Sequence, residues 1–393
     1  MKEINNIPVW GDPIDEGALK QIELCQKTAY KTALMADHHL GYAVPIGGVV
    51  VYKDKISPSG VGFDIACGNM ACLTDLKYDD IKDRIPLLAD EIFKQISFGM
   101  GRNNEEKVDH PLFEDDAWKC VPKEISKQAA QAQLGTVGGG NHYVDIFTDK
   151  EQRIWCGVHF GSRGLGHKIA TYFLKVGGAK DGINVEPLVL DVNSTLGQHY
   201  LMCMELAGKY AYAGREWVCD KVCKILGTKM VDFVHNHHNF AWKETHEGEE
   251  FWVVRKGATP AFPGQRGFVG GSMGDISVIL EGKENELGKK SFYSTVHGAG
   301  RVMSRTQAKG KFVRDENGKK QRQPGLVRHD DMMAWVENKQ VCLRGAGVDE
   351  APQCYKRIEQ VLEQHKEEIE IKEVLTPIIV CMAGKETLDP YKD

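Results

Sequence analysis

Six short clusters in this chain each set a histidine, a cysteine or an acid among glycines: DHHLGYAVPIGG, GVGFDIACG, GGGNHYVD, VHFGSRGLGH, HNHHNF and STVHGAGRVMSR. Taken together they look like one dispersed metal-and-nucleotide site, so the fold must gather loops that lie far apart in the chain. Short β-rich runs at 49–52, 154–159, 188–192, 251–255 and 277–280 are interspersed with helical stretches, notably 197–226 and 351–370. The order is irregular and lacks a clean βαβ alternation, which favours an α+β fold over a doubly wound sheet. No repeat of solenoid length, heptad run or long low-complexity linker divides the 393 residues, and we read 1–393 as a single large domain.

With 42% hydrophobic and 27% charged residues, the chain has the make-up of a globular protein with ample material for a core. A formal charge of -5 argues against coating nucleic acid through bulk electrostatics, while leaving room for local basic grooves. The stretch MKEINNIPVW has no basic segment followed by an apolar one, and no apolar run reaches membrane-spanning length. A cytoplasmic protein without membrane contact is expected. The 11 cysteines lack the dense spacing of a secreted scaffold, and Cys219 and Cys223, four apart in a helix-like stretch, read as packing residues. Segment 309–325, KGKFVRDENGKKQRQPG, replaces apolar periodicity with charge and Gly/Pro punctuation. It reads as a mobile, solvated surface loop or as a basic loop facing RNA.

In GVGFDIACG, Asp64 and Cys67 are separated by two residues, so one turn of irregular chain can aim a carboxylate and a thiolate at the same point. Joined by imidazoles, such a pair suits Zn, Mn, Fe or Co, and the carboxylate tilts it toward a harder ion such as Mn. A buried acid and a buried thiol beside turn glycines would look the same. The three glycines before Asn141 and His142 allow close backbone approach to a ligand, and a phosphate cradle is the functional reading. Neither a GxGxxG opening a helix nor a GxxxxGK[ST] is present, so a nucleotide would bind outside Rossmann and P-loop frames. His159 ends a strand-like run ahead of Gly161, Ser162, Arg163 and Gly164, a turn with donors for an anion. His235, His237 and His238 crowd one segment; at least one metal ligand is expected there, but not three, and in an extended chain Asn236 and His238 share a face. His297 is followed by Gly298, Gly300, Arg301, Ser304 and Arg305. Its accessible ring is either a nucleophile toward activated phosphorus or a phosphate-binding group that never bonds covalently.

In order and spacing these clusters resemble the RNA-splicing ligase RtcB family from about Asp37 to Gly384. GVGFDIACG, GGGNHY, VHFGSRGLGH, RKGATPAFPGQ, GSMG, HGAGRVMSR and DEAPQCYK all stand in family order. The resemblance implies an RtcB-like catalytic domain with central β-sheets flanked by helices and an active site built from loops and strand ends. It implies a GTP- and Mn-dependent ligase that joins RNA 3′-phosphate or 2′,3′-cyclic phosphate ends to 5′-hydroxyl ends, in tRNA splicing or RNA repair. Carried over residue by residue, it has Cys67 bridging two Mn ions, with Asp64 and His142 on one and His159 and His238 on the other. His297 would take GMP from GTP. Asn141, Gly298, Ala299, Gly300, Arg301 and the backbone of Gly271, Ser272, Met273 and Gly274 would hold phosphates and ribose, and Asp145 sits where the family has an acid near guanine. Asp37 and His39 match an early DxH element. The partners implied are the two RNA ends, with room for an accessory activator, and a monomer is expected.

Two positions depart from the family pattern. Ala383 stands at the lysine of the family's V-K-G tail. Either Lys385 reaches back from the tail 385–393, or guanine recognition is weaker by about 1.5 to 3 kcal/mol for the lost charge-assisted hydrogen bond. Gly270 stands where proline is usual before GSMG. Two other readings stay open at this point: an enzyme that hydrolyses cyclic phosphates or caps an end with GMP without sealing, and a non-catalytic RNA-end-binding protein.

Overall fold

A computed structural model describes residues 1–314 and 320–384. Helices and strands follow one another irregularly, in the α+β manner, and two sheets carry the architecture. The smaller has six strands in the order Lys2–Ile4, Ile7–Val9, Lys31–His39, Ile46–Tyr52, Glu249–Lys256 and Asn239–His246. In Ile46–Tyr52 the run GGVVVY is buried throughout, as expected for an inner strand that has helices or loops on both faces.

The larger sheet runs Met230–His237, Gly68–Lys77, Arg153–Phe160, Tyr143–Thr148, Ile369–Gly384, Ser277–Gly282 and Arg266–Val269, with Cys342–Ala346 added parallel to Ile369–Gly384. Its first and last strands face each other, and side chains bridge the gap. Asn236 Oδ1 accepts from Phe268 N at 3.0 Å, and Asn69 Nδ2, one strand in, donates to Phe268 O at 2.9 Å. Arg266 pairs with Asp232 at 2.7 Å. Side-chain amides thus stand in for the ladder that would close the sheet, and they satisfy edge groups that burial would otherwise leave unpaired.

The 32-residue helix Thr195–Leu226 ties the two sheets together. Ser194 caps its start by accepting from Gly197 N, and Gly227, with φ +77°, ends it in the left-handed conformation that a side chain would resist. Its first half shares a hydrophobic cluster with Val50, Tyr52 and Val254 of the smaller sheet, and its last turns share one with Met70, Ile146 and Val158 of the larger.

Three expectations change. The stretch 351–370 is not one helix: Pro352–Cys354 is a 3₁₀ turn, Ile358–Glu363 a short helix, and Ile369 already starts a strand. Proline cannot donate within a helix, and from Ile369 the sequence alternates with period two. The run 188–192 yields only the two-residue strand Leu190–Asp191. Within 309–325, Gly310–Arg314 and Lys320–Pro324 form an antiparallel ladder, so the described part is a hairpin rather than irregular loop. Residues 315–319 and the tail with Lys385 lie outside the described residues. No helix among the described residues is long and apolar enough to cross a membrane.

Candidate active site

Where the two sheets meet, loops and strand ends enclose a cavity of about 800 Å³. The chain crosses between the sheets at His238, since Met230–His237 belongs to the larger and Asn239–His246 to the smaller. Backbone bonds pin the turn that carries Asp64 and Cys67 onto this crossing: His238 N donates to Cys67 O at 2.8 Å, and Ala66 N donates to Asn239 O at 2.7 Å. Cys67 and His238 therefore share one wall although they lie 171 positions apart in the chain.

The five residues expected as metal ligands come together there. Cys67 Sγ is 3.3 Å from His159 Nε2 and 3.6 Å from His142 Nε2, and His142 Nε2 is 3.1 Å from Asp64 Oδ2. The ring of His238 is centred 5.1 Å from that of His159, and its Nδ1 is buried without a hydrogen-bond partner. His159 Nδ1 bonds Asn141 O at 3.0 Å, which fixes the tautomer and leaves Nε2 facing the thiol. A Cβ at Gly161 would lie 2.2 Å from Asp64 Oδ1, so glycine is what admits the carboxylate to the cluster. Burial first, and Asp64 second, pushes the Cys67 thiol well above its ordinary range. Burial holds His142, His159 and His238 below theirs, which favours the neutral, ligating form of each ring. Burial would also raise Asp64, but the hydrogen bond and charge of His142, together with Arg163, bring it down to about 2. A thiol, three imidazoles, one with an orphaned nitrogen, and an ionised carboxylate are a donor set that fits a divalent cation.

His297 follows the strand Ser294–Val296 and stands beside this set, its ring 4.8 Å from that of His238. Its Nδ1 lies 2.5 Å from Oδ2 of Asp37, which is fully buried on Lys31–His39; the same oxygen accepts from His297 N at 3.0 Å and Gly298 N at 3.3 Å. Burial works to raise the Asp37 carboxyl, but the charge and hydrogen bonds of His297 more than reverse this. With Nδ1–H held by the carboxylate, Nε2 is the nitrogen that carries the lone pair in the neutral ring. Gly300, with φ +78°, rests on this pair: a Cβ there would lie 2.2 Å from Asp37 O. His39 also lines the cavity, with Nδ1 3.0 Å from Asp37 O, and burial takes it down to about 4.

Asn141, Asp145, Gly271, Ser272, Met273, Gly298, Ala299, Gly300 and Arg301 line the same cavity. Gly274 is not on the wall; a Cβ there would point at Trp335. Gly271 N is already bonded to Ser277 Oγ at 3.2 Å, and Ser272 Oγ to Asp275 at 2.9 Å. Burial drives Asp145 well above the usual carboxylate range. Arg301 is held by Tyr355 Oη at 2.9 Å, Asp349 O at 2.8 Å and Glu350 at 3.4 Å, and Arg305 also pairs with Glu350. The acids that brace these cations sit in DEAPQCYK, a segment whose presence was legible but whose role was not. Gly270 has a local cause too: a Cβ would fall 2.1 Å from the Tyr143 hydroxyl.

Arg215, at the middle of the long helix, gave no signal in the sequence. It is fully buried, with Nε donating to His235 Nε2 at 2.8 Å and Nη2 meeting His237 Nδ1 at 2.8 Å. Its Nη1 donates to Ala66 O at 3.0 Å and Phe160 O at 2.6 Å. Two of the three clustered histidines therefore serve a guanidinium, which in turn holds the turn before Cys67. The alternation of the strand separates them from Asn236 and His238.

Fold and site define an α+β catalytic domain built around a thiol, imidazole and carboxylate centre with a carboxylate-backed histidine at its edge. The chain belongs to the RtcB family: the family model described as tRNA-splicing ligase RtcB matches residues 19–383. It is 31% identical to RNA-splicing ligase RtcB of Escherichia coli (strain K12), an alignment covering 96% of this chain and 98% of that protein. It is 30% identical to tRNA-splicing ligase RtcB of Thermococcus kodakarensis, over 85% and 83% of the two chains. Identity to RNA-splicing ligase RtcB homolog 1 of Entamoeba dispar is 34%, over 70% and 66%.

Proposed function

We propose that this chain is an RNA ligase of tRNA splicing or RNA repair that uses GTP and Mn to join RNA 3′-phosphate or 2′,3′-cyclic phosphate ends to 5′-hydroxyl ends. The observation that carries the reading is His297, backed by Asp37 at 2.5 Å and set beside the ligand cluster of His238, His159 and Cys67. The ligase names of its relatives support it. Asp64, Cys67, His142, His159 and His238 would hold two Mn ions, which supply charge neutralisation at phosphate oxygens.

The remaining chemistry belongs to the chain and its substrates. With its Nδ1–H held by Asp37, His297 presents Nε2 to the α-phosphorus of GTP; a P–N bond forms as pyrophosphate leaves. GMP then passes from His297 to the RNA 3′-phosphate, and the 5′-hydroxyl displaces GMP to form the phosphodiester. A cyclic phosphate is first opened by water. Asn141, Arg301 and the Gly298–Gly300 backbone would position phosphates, and Asp145 would lie toward guanine. A cytoplasmic monomer acting on two RNA ends, with or without an activator, completes the reading.

Incubation with α-labelled GTP and Mn tests it. The expected result is an acid-labile protein adduct, absent in His297→Ala and weaker with ATP, followed by a joined product from a 3′-phosphate RNA and a 5′-hydroxyl RNA. Hydrolysis or capping without a joined product overturns the ligase reading, and absence of any adduct overturns the nucleotide chemistry.

A further inference from the structure

Four of the 11 cysteines meet at a second place, on the far side of the larger sheet's core from the cavity wall. Cys72 and Cys156 are register partners on the neighbouring strands Gly68–Lys77 and Arg153–Phe160. Cys219 and Cys223 lie four residues apart on the helix Thr195–Leu226, which packs over those strands. Sulfur atoms of Cys72, Cys156 and Cys219 all fall within 4.8 Å of one another, and Cys223 stands one helical turn beyond Cys219 in the same buried cluster. Cys72, Cys156 and Cys219 are fully buried and Cys223 is 4% exposed.

Each cysteine alone would pass as a small core residue, and the i, i+4 pair was read that way from the sequence. Packing, however, asks only for volume. It does not ask for sulfur at four adjoining positions supplied by two strands and a helix. The helical spacing sets two thiols on one face, the cross-strand register sets the other two side by side, and the pairs oppose each other. That two-plus-two layout is the donor set of a closed, four-coordinate thiolate site.

We propose that Cys72, Cys156, Cys219 and Cys223 form a structural zinc site separate from the centre at Cys67. Zinc–sulfur bonds of about 2.3 Å place the four sulfurs about 3.8 Å apart, so Cys72, Cys156 and Cys219 need approach one another by at most about 1 Å from the 4.8 Å bound, and Cys223, which stands outside that bound, closes the fourth position by a change of side-chain rotamer. Binding exchanges four S–H bonds for four Zn–S bonds and releases four protons to solvent. The clip fastens the long helix to the larger sheet one turn beyond Arg215, and so stiffens the support on which the Cys67 turn rests.

The test uses the full chain, expressed with added zinc, stripped with EDTA and analysed for metal and thiols by mass spectrometry. About one EDTA-resistant zinc per chain is expected in the wild type and in Cys67→Ser, falling at least threefold in Cys219→Ser and Cys223→Ser. Replacement by Co²⁺ should give thiolate-to-cobalt charge-transfer absorption in Cys67→Ser but not in Cys223→Ser. Cys223 is the least buried of the four, so its variant keeps the test decisive where Cys219→Ser does not fold. A wild-type chain without resistant zinc, whether its thiols are all reduced or Cys72 and Cys156 form a disulfide, overturns the site. So does zinc that is lost in Cys67→Ser and kept in Cys223→Ser.

Discussion

Asp37 and His297 lie 260 positions apart, and neither is informative about the other until the fold joins them. The DxH element and HGAGRVMSR were both legible as chemistry-bearing segments. Their pairing was not, because nothing local in either segment encodes a contact between the strand Lys31–His39 and the turn after Ser294–Val296. The pairing makes a sharp prediction. Asp37→Asn keeps the shape but offers Nδ1 a weaker acceptor and allows the tautomer with the proton on Nε2. Adduct formation with labelled GTP should fall by roughly 10³- to 10⁴-fold while the melting temperature moves little. Equal loss in adduct rate and in folded fraction would instead mark Asp37 as purely structural. Gly270 argues at the same scale. Gly270→Ala drives a Cβ into the Tyr143 hydroxyl and should cost about 1 to 3 kcal/mol by urea unfolding. That hydroxyl is buried without a partner, so Tyr143→Phe in the same chain should recover most of the loss. A double variant no better than the single one would place the strain elsewhere.

At the scale of elements, what the sequence announced was periodicity. The helix over 197–226 is where its pattern puts it, with a serine and a glycine at its two ends, and the runs at 49–52, 154–159, 251–255 and 277–280 all lie inside strands. The stretch 351–370 misled because a helix-like pattern read across it outweighed the break at Pro352 and carries no information about the sheet edge waiting at Ile369. Arg215 shows the opposite blindness: a charged residue in mid-helix ordinarily faces water, and only the packed structure turns it onto His235, His237 and two carbonyls. Replacing it by methionine leaves those four groups without their donor. With about 1 to 3 kcal/mol for each buried polar group left unsatisfied, Arg215→Met should lower unfolding free energy by at least about 4 kcal/mol. The same variant should loosen the Cys67 turn, so Mn affinity measured on the folded fraction should fall as well. Unchanged affinity would show that Ala66 O does not need this anchor.

At the scale of the molecule, the site exists because two sheets abut, and each contributes a wall. Lys256 sits on the wall given by the smaller sheet, buried, with Nζ donating to Tyr42 O at 2.7 Å. Burial lowers its ammonium from 10.5 to about 8. Below about 8 the folded and unfolded chains both hold the proton, and the cost of burying the charge is fully present. Between about 8 and 10.5 the unfolded chain binds the proton more tightly, so the stability contributed by this group rises with pH. A shift of that size corresponds to roughly 3 kcal/mol. A cation kept at such a cost in the cavity wall suits the phosphate groups that the proposed function would bring there. Lys256→Met should therefore unfold at higher urea than the wild type at pH 7, with an advantage that shrinks toward pH 10, while losing affinity for GTP at pH 7, where the lysine is charged, and much less at pH 10. An advantage that stayed flat with pH would place the charge of Lys256 in water, and one that grew with pH would mean that the fold stabilises the ammonium, reversing the sign of the argument.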